Sequence, residues 1–248
     1  MAFVLDLAWI FAAAYALNLA AYFGFGWIVV QVNRAHPERR IQPARDGMKR
    51  ARAEILESLR SIAVTAFCLA LALSLQIHGL TLWEPWGGWL GLAGGLVLLA
   101  VLYDAWFYWA HRALHTRALY RFHHWHHRSV APTVWSSDSQ TVIETAMIQG
   151  FMVVAAVLLP VPALALVIHR VWDHVNGQLG HAGFEHFADR TTRFPSPMVC
   201  TSFHDQHHEL FTWNYANYFS LWDRLMGTLH PDYDRRVEAA ETRGTPAE

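Results

Sequence analysis

Four stretches of this chain carry no Asp, Glu, Lys or Arg: Leu7 to Asn33, Ser61 to Trp83, Pro85 to Tyr103 and Thr145 to Ile168. A helix of about 20 apolar residues crosses the hydrocarbon core of a bilayer, where the backbone must satisfy its own polar groups. A water-soluble core rarely supplies four such blocks, and a hydrophobic content of 54% agrees with them. The predicted class is an all-α integral membrane protein, of a length that suits one domain with appendages. The first seven residues include Asp6 but no Lys or Arg. They lack the basic start of a cleavable leader, so the first block reads as a retained membrane helix.

Charge then orients the helices. Between Arg34 and Arg60 the chain holds eight Lys or Arg against four acids, and such segments collect on the cytoplasmic side. Helix one then runs outside to inside, helix two (about residues 61–81) returns, and helix three (about residues 86–110) delivers His111 to the cytoplasmic face. Residues 46–60 read as an amphipathic helix whose second half lies on the membrane with Ile55 and Leu59 inward. Gly87, Gly91 and Gly95 recur every fourth residue, a ridge that permits close helix contact. Pro160 and Pro162 interrupt the fourth block, and proline breaks a helix interior. Residues 142–158 and 163–179 are therefore expected as a hairpin that dips into the bilayer and returns.

The expected organisation is three membrane-spanning helices plus a Pro-broken helical hairpin, with a cytoplasmic helical cap. Residues 1–60 make the N-terminal membrane helix and basic segment, residues 61–230 the membrane domain, and residues 231–248 a polar, flexible tail. Cys68 and Cys200 read as buried free thiols rather than a disulfide framework. A net charge of −1, with no basic stripe interleaved with stacking aromatics, gives no footprint for nucleic acid.

The chemistry lies in the histidines. His111 and His115 are spaced i, i+4. His123, His126 and His127 form H-x-x-H-H, a spacing that recurs at His204, His207 and His208. Residues three and four apart share a helix face, so each group is expected to converge, and imidazole is the commonest metal-binding side chain. His174 and His181, seven apart, lie about two turns apart on one helical face. His124 is about 100° around from His123 and is set aside with His169 and His186, while His36, His78 and His230 stand alone. Eight to ten imidazoles exceed the three or four protein ligands of one zinc, which implies two metals. An all-nitrogen set suits iron, zinc or copper, and two ions among neutral ligands favour an anionic oxygen species. Asp173, Glu185, Asp205 and Asp223, then Glu144, are candidates to accept from the far ring nitrogens. The aromatic run Tyr103, Trp106, Phe107, Tyr108, Trp109 reads either as the wall of a lipid entrance or as an interfacial belt.

Several motifs occur in a recognisable order over about residues 100–230. They are H-R-A-L-H at 111–115, L-Y-R-F-H-H-W-H-H at 119–127 with A-P-T at 131–133, and H-A-G-F-E at 181–185. F-H-D-Q-H-H follows at 203–208, then N-Y at 214–215 and W-D-R-L-M-G-T at 222–228. Together they resemble the fatty acid hydroxylase/sterol desaturase superfamily of membrane di-metal oxygenases. The resemblance implies two iron ions, with zinc as the alternative in an isolated protein, and O2 as co-substrate. The reaction it implies is hydroxylation or desaturation of a fatty-acyl, sterol or other isoprenoid lipid. As metal ligands it carries over to His111, His115, His123, His126, His127, His181, His204, His207 and His208.

Some members have a further histidine four residues before the one matching His181, and this chain has Gly177 there. Either His174 replaces it from a neighbouring turn, or Asn176, Gln178 or water completes the site. Ala216 stands where a Gly usually follows the N-Y pair. Electrons must come from outside, because no flavin or NAD fingerprint and no cytochrome b5-like module is present. A separate ferredoxin, cytochrome or reductase is therefore expected on the cytoplasmic face of a bacterial inner membrane or endoplasmic reticulum. The basic 34–60 segment serves either as its docking surface or as a membrane anchor.

Other classes fit less well. A metal transporter places its ionisable ligands near the midplane of spanning helices, whereas these cluster outside the apolar blocks. A zinc protease needs a glutamate inside H-E-x-x-H, and Arg112 follows His111. A haem site leaves the repeated H-x-x-H-H groups unexplained. A non-catalytic zinc-binding membrane protein is the remaining alternative.

Overall fold

The computed structural model describes residues 1–243. Its helices α1 (Ala2–Ala35), α2 (Ala51–Ile77) and α3 (Gly88–Leu114) are long and apolar enough to cross a membrane. At 1.5 Å per residue the shorter two reach about 40 Å. The buried positions of α1 are Ala14, Asn18, Tyr22, Gly26, Val29 and Asn33, about one per turn. The rest of that helix exposes Val4, Leu5, Trp9, Leu17 and Trp27, an apolar surface suited to lipid and not to water. Gly26 lets α1 close against the site region, since a Cβ there would stand 2.9 Å from the Trp135 ring.

A short turn over Gly47–Arg50, capped by Asp46 accepting from Met48 N–H, leads into α2. Residues 51–60 continue straight into the long helix, so the flat surface helix expected there does not form. The inward face explains the difference. Glu54 and Ser58 are buried, Glu54 accepting from the Ser129 hydroxyl and Ser58 donating to the Trp135 carbonyl, while Ile55 and Leu59 are only half-buried. Of the expected ridge only Gly95 meets another helix: Gly87 is exposed at the start of α3, and Gly91 is covered by Trp86. A Cβ on Gly95 would lie 3.0 Å from the Pro162 ring, so this glycine sets the approach of α3 to the helix beyond that proline.

The single turn α4 (Tyr120–His123) follows, then α5 (Val142–Gln149), α6 (Phe151–Leu158) and α7 (Ala163–Gly180). The Thr141 hydroxyl caps α5 by accepting from Glu144 N–H, and the chain breaks at Leu159–Pro162 between α6 and α7. Ala66 and Leu69 of α2, Leu99 and Tyr103 of α3, Phe151 and Ala155 of α6 and Leu166 of α7 share one core. The remaining helices are α8 (Thr201–Leu210), α9 (Leu221–Met226) and α10 (Tyr233–Arg243).

Helix α10 departs from the expected flexible tail. Tyr233 and Val237 are fully buried beside Phe203 and Cys200, and the Tyr233 hydroxyl donates to the Thr192 carbonyl. Two buried apolar positions one turn apart were enough to anchor an otherwise charged segment. Residues 244–248 of that tail lie outside the described residues. Cys68 and Cys200 are free and buried, as expected.

Candidate metal centre

Four segments bring nine histidines together. His111 lies in the last turn of α3, and His115 caps that helix, its N–H bonding the His111 carbonyl. His123 ends α4, and His126 and His127 lie in the 3-10 turn after it. His181 caps α7, and His204, His207 and His208 lie on α8. The rings sort into two groups, His111, His115, His123, His127 and His207 in one and His126, His181, His204 and His208 in the other. Each H-x-x-H-H motif is therefore split. Its outer pair serves one group and its middle histidine the other, where the sequence alone predicted one convergent face.

The separations show what fits there. In the first group His127 Nε2 lies 2.9 Å from that of His123, 3.0 Å from His115 and 3.1 Å from His207. In the second, His181 Nε2 lies 3.0 Å from His204, 3.2 Å from His126 and 3.2 Å from His208. The far nitrogen, Nδ1, faces a backbone carbonyl in four rings: Tyr215 for His111, Ser139 for His126, Gly177 for His181 and Trp213 for His207. A carbonyl only accepts and a neutral imidazole has one proton, so those rings carry it on Nδ1 and aim bare Nε2 lone pairs at one another. Such an array repels itself unless a cation sits among the nitrogens. With metal–nitrogen bonds of about 2.0–2.1 Å, ligands at right angles stand about 2.8–3.0 Å apart and tetrahedral ones about 3.3–3.4 Å. The observed spacing is closer to right angles, and five donors exceed a tetrahedral set. Each group can hold a metal ion.

Electrostatics prepare the same state. Burial holds His115 down to about 2 and His181 down to about 4, against an ordinary 6.5. Burial, then neighbouring rings, keeps His123, His127, His204, His207 and His208 well below that value, and His126 likewise. All are neutral at pH 7, the form that binds metal without first losing a proton.

Among the acids nominated as outer partners, Glu144 alone meets a ligand ring, accepting from His123 Nδ1 at 2.7 Å. Asp173 bonds Arg170, and Glu185 caps the start of α8 by accepting from Ser202 N–H. Asp205 accepts from Gln42, and burial pushes it up to about 7. Asp223 acts at one remove, accepting from the backbone N–H of Tyr215 and Ala216 and so holding the carbonyl that receives His111. Sequence reasoning missed Asp104, which is buried in α3 and accepts from Tyr218 and Phe219 N–H. An acid seven residues before His111 in an apolar helix was the available signal.

His174 joins neither group. Arg170 donates to its Nδ1 at 2.9 Å, which puts the ring proton on Nε2 and leaves no lone pair for a metal, and His181 stands past the end of α7. His124 is exposed, His186 bonds Asn33, and His169 is packed edge-on against Tyr103.

A cavity of about 470 Å³ reaches the rings of His111, His123, His126, His181 and His204. Tyr103, Phe107 and Ile148 give it an apolar wall, and Asp138, Arg170 and His174 a polar one. The aromatic run before His111 is thus divided. Tyr103 and Phe107 line this cavity, Tyr108 is buried, and Trp106 with the exposed Trp109 lines a separate apolar cavity of about 500 Å³.

Comparison with known proteins places these motifs. The family model described as fatty acid hydroxylase matches residues 96–228, more than half the chain. A methylsterol monooxygenase from Gallus gallus is 32% identical over 59% of this chain and 49% of its own length. One from Aspergillus fumigatus is 28% identical over 67% and 57%. A very-long-chain aldehyde decarbonylase from Oryza sativa subsp. japonica is 32% identical over 68% and 63%. The chain thus spans about half the length of the first relative and less than two thirds of the other two. No solved structure matches it.

Proposed function

The chain belongs to the fatty acid hydroxylase family, and on that premise we propose that it is a membrane oxidoreductase acting on an unactivated C–H bond of a lipid. The observation that carries this reading is the pair of adjoining nitrogen sets, five and four, opening on one partly apolar cavity. Two iron ions held by the nine histidines, with O2 and an electron pair from a separate ferredoxin, cytochrome or reductase, supply the oxidising power. Insertion of one oxygen atom gives an alcohol, and removal of two hydrogens gives an alkene. The names of the methylsterol relatives favour a sterol-like lipid.

The chain's own residues do the rest. Tyr103, Phe107 and Ile148 hold the apolar body of the lipid. Burial of His111, His123 and His126 excludes water from the reacting bond, and the acceptors on Nδ1 keep each ring from turning. In this reading α1 to α3 span the bilayer and α5 to α7 form the hairpin that enters and returns. Residues 115–140 and 181–230 cap the cytoplasmic side beside the basic 34–60 segment.

The test is expression in a lipid-producing host with a competent reductase, beside His126→Ala. A lipid that gains oxygen or loses hydrogen only with the wild-type chain is expected, and identical extracts overturn the reading. Metal analysis of the purified protein should give two ions per chain.

A further inference from the structure

We infer that the polar side of the main cavity recognises the hydroxyl group of a lipid alcohol and discriminates against a carboxylate. The inference rests on reading that cavity as the substrate site. Helix α7 leaves an apolar block and then buries Arg170, Asp173 and His174 within little more than one turn. Ionisable groups buried among apolar helices are costly and usually functional. Arg170 donates to Asp173 at 2.7 Å, to Asn18 Oδ1 at 3.2 Å and to His174 Nδ1 at 2.9 Å. A guanidinium only donates, so His174 Nδ1 accepts and the ring proton sits on Nε2. That Nε2–H has no partner although His174 is only 4% exposed, and the residue lines the cavity. A buried donor left unpaired is destabilising until an acceptor arrives.

Asp173 offers nothing further, since Gln149, Asn217 and Tyr218 donate to it as well as Arg170. Asp138 differs. Its Oδ2 accepts from the Ser137 hydroxyl at 2.9 Å and lies 3.7 Å from His174 Nδ1. Its Oδ1 is 3.9 Å from Arg170, beyond hydrogen-bond length. The same cavity wall therefore carries one spare donor, His174 Nε2–H, and one carboxylate oxygen without a donor, Asp138 Oδ1. A hydroxyl group can pair with either, an aldehyde only with the donor, and a hydrocarbon with neither. A carboxylate has no donor for Asp138 and would set a second anion directly beside it.

The test is binding of hexadecanol, hexadecanoate and hexadecane to the purified, metal-loaded, full-length protein in detergent at pH 8. The wild type is expected to prefer hexadecanol by about tenfold or more over either analogue. His174→Phe should remove most of that preference while leaving hexadecane unchanged. Asp138→Asn should raise hexadecanoate relative to hexadecanol, and it carries the test if the first variant does not fold. Equal binding of all three lipids by the wild type overturns the inference, as does an undiminished preference for the alcohol in both variants. Lipid oxidation in the host with no alcohol preference sinks this inference alone. Alcohol preference without oxidation sinks the enzyme reading alone.

Discussion

The two nitrogen groups share one plan and differ at one position. Helices α3 and α7 each end on a capping histidine, His115 and His181, whose N–H bonds the carbonyl four residues back. His123 and His127 give one group what His204 and His208 give the other, and His207 and His126 cross between them. The exchange fails only where His111 corresponds to Gly177. That glycine lines the cavity, and nothing lies within 4 Å of where its Cβ would stand. One group is closed by five nitrogens, whereas the other has four and open space on the side where a lipid would lie. On the proposed reading the inequality would divide the tasks: the five-nitrogen group would hold an ion firmly, and the four-nitrogen group would leave a position open.

Removing a crossing ligand should break this arrangement most severely. His207→Ala takes a nitrogen from the first group and is expected to abolish lipid oxidation, with metal analysis showing fewer than two ions per chain. Glu144→Gln is milder and one-sided. It weakens the acceptor behind His123 and should lower metal affinity of the five-nitrogen group by about 10–100-fold, leaving the other group loaded in a chelator titration. Gly177→His should make the groups alike. Metal loss from the second group to a chelator should slow by about tenfold.

The last effect is acid sensitivity of the metal-free protein, read on stability and not on activity. His115 and His181 titrate near 2 and 4 when folded, against an ordinary 6.5, so the unfolded chain binds more protons in that window. Stability is then full above 6.5 and falls as pH drops below it, by about 1 kcal/mol per unit for each such ring. Burial holds six further ligand rings low, so the losses add and melting temperature should fall steeply between pH 6.5 and 5.5. The metal-loaded protein should shift less, and equal shifts would contradict the assignment of these rings as ligands.

Local signals explain what could be read from the sequence. Uncharged runs mark long helices, and i, i+3, i+4 spacing marks rings that can meet, so the three long helices and nine of the ten nominated histidines come together. The division into groups was not legible, because neighbouring residues project about 100° apart on a helix and only the tertiary arrangement decides which group each ring reaches. The regular helix α8 splits its motif as the broken segment after α4 does. Nor were the acceptors behind the rings, since four are backbone carbonyls with no side-chain signature. His174 was misplaced by a periodicity argument that assumed α7 continues through His181, and the nearby Arg170 was the overlooked clue. Ile55 and Leu59 were assigned the inward face that Glu54 and Ser58 take, because the partners of the latter, Ser129 and Trp135, are distant in sequence.

The bare lone pairs facing one another across each group also affect how the protein is made. His111 and His115 leave the ribosome long before His207 and His208, and no group is complete until α8 has been synthesised and folded back. An early ion would meet only a partial set of donors, and a finished but unloaded chain would hold like-oriented dipoles pressed together. If the groups hold ions as proposed, loading would be a late checkpoint on assembly. A chain that misplaces α8 would be left without the ion that locks it.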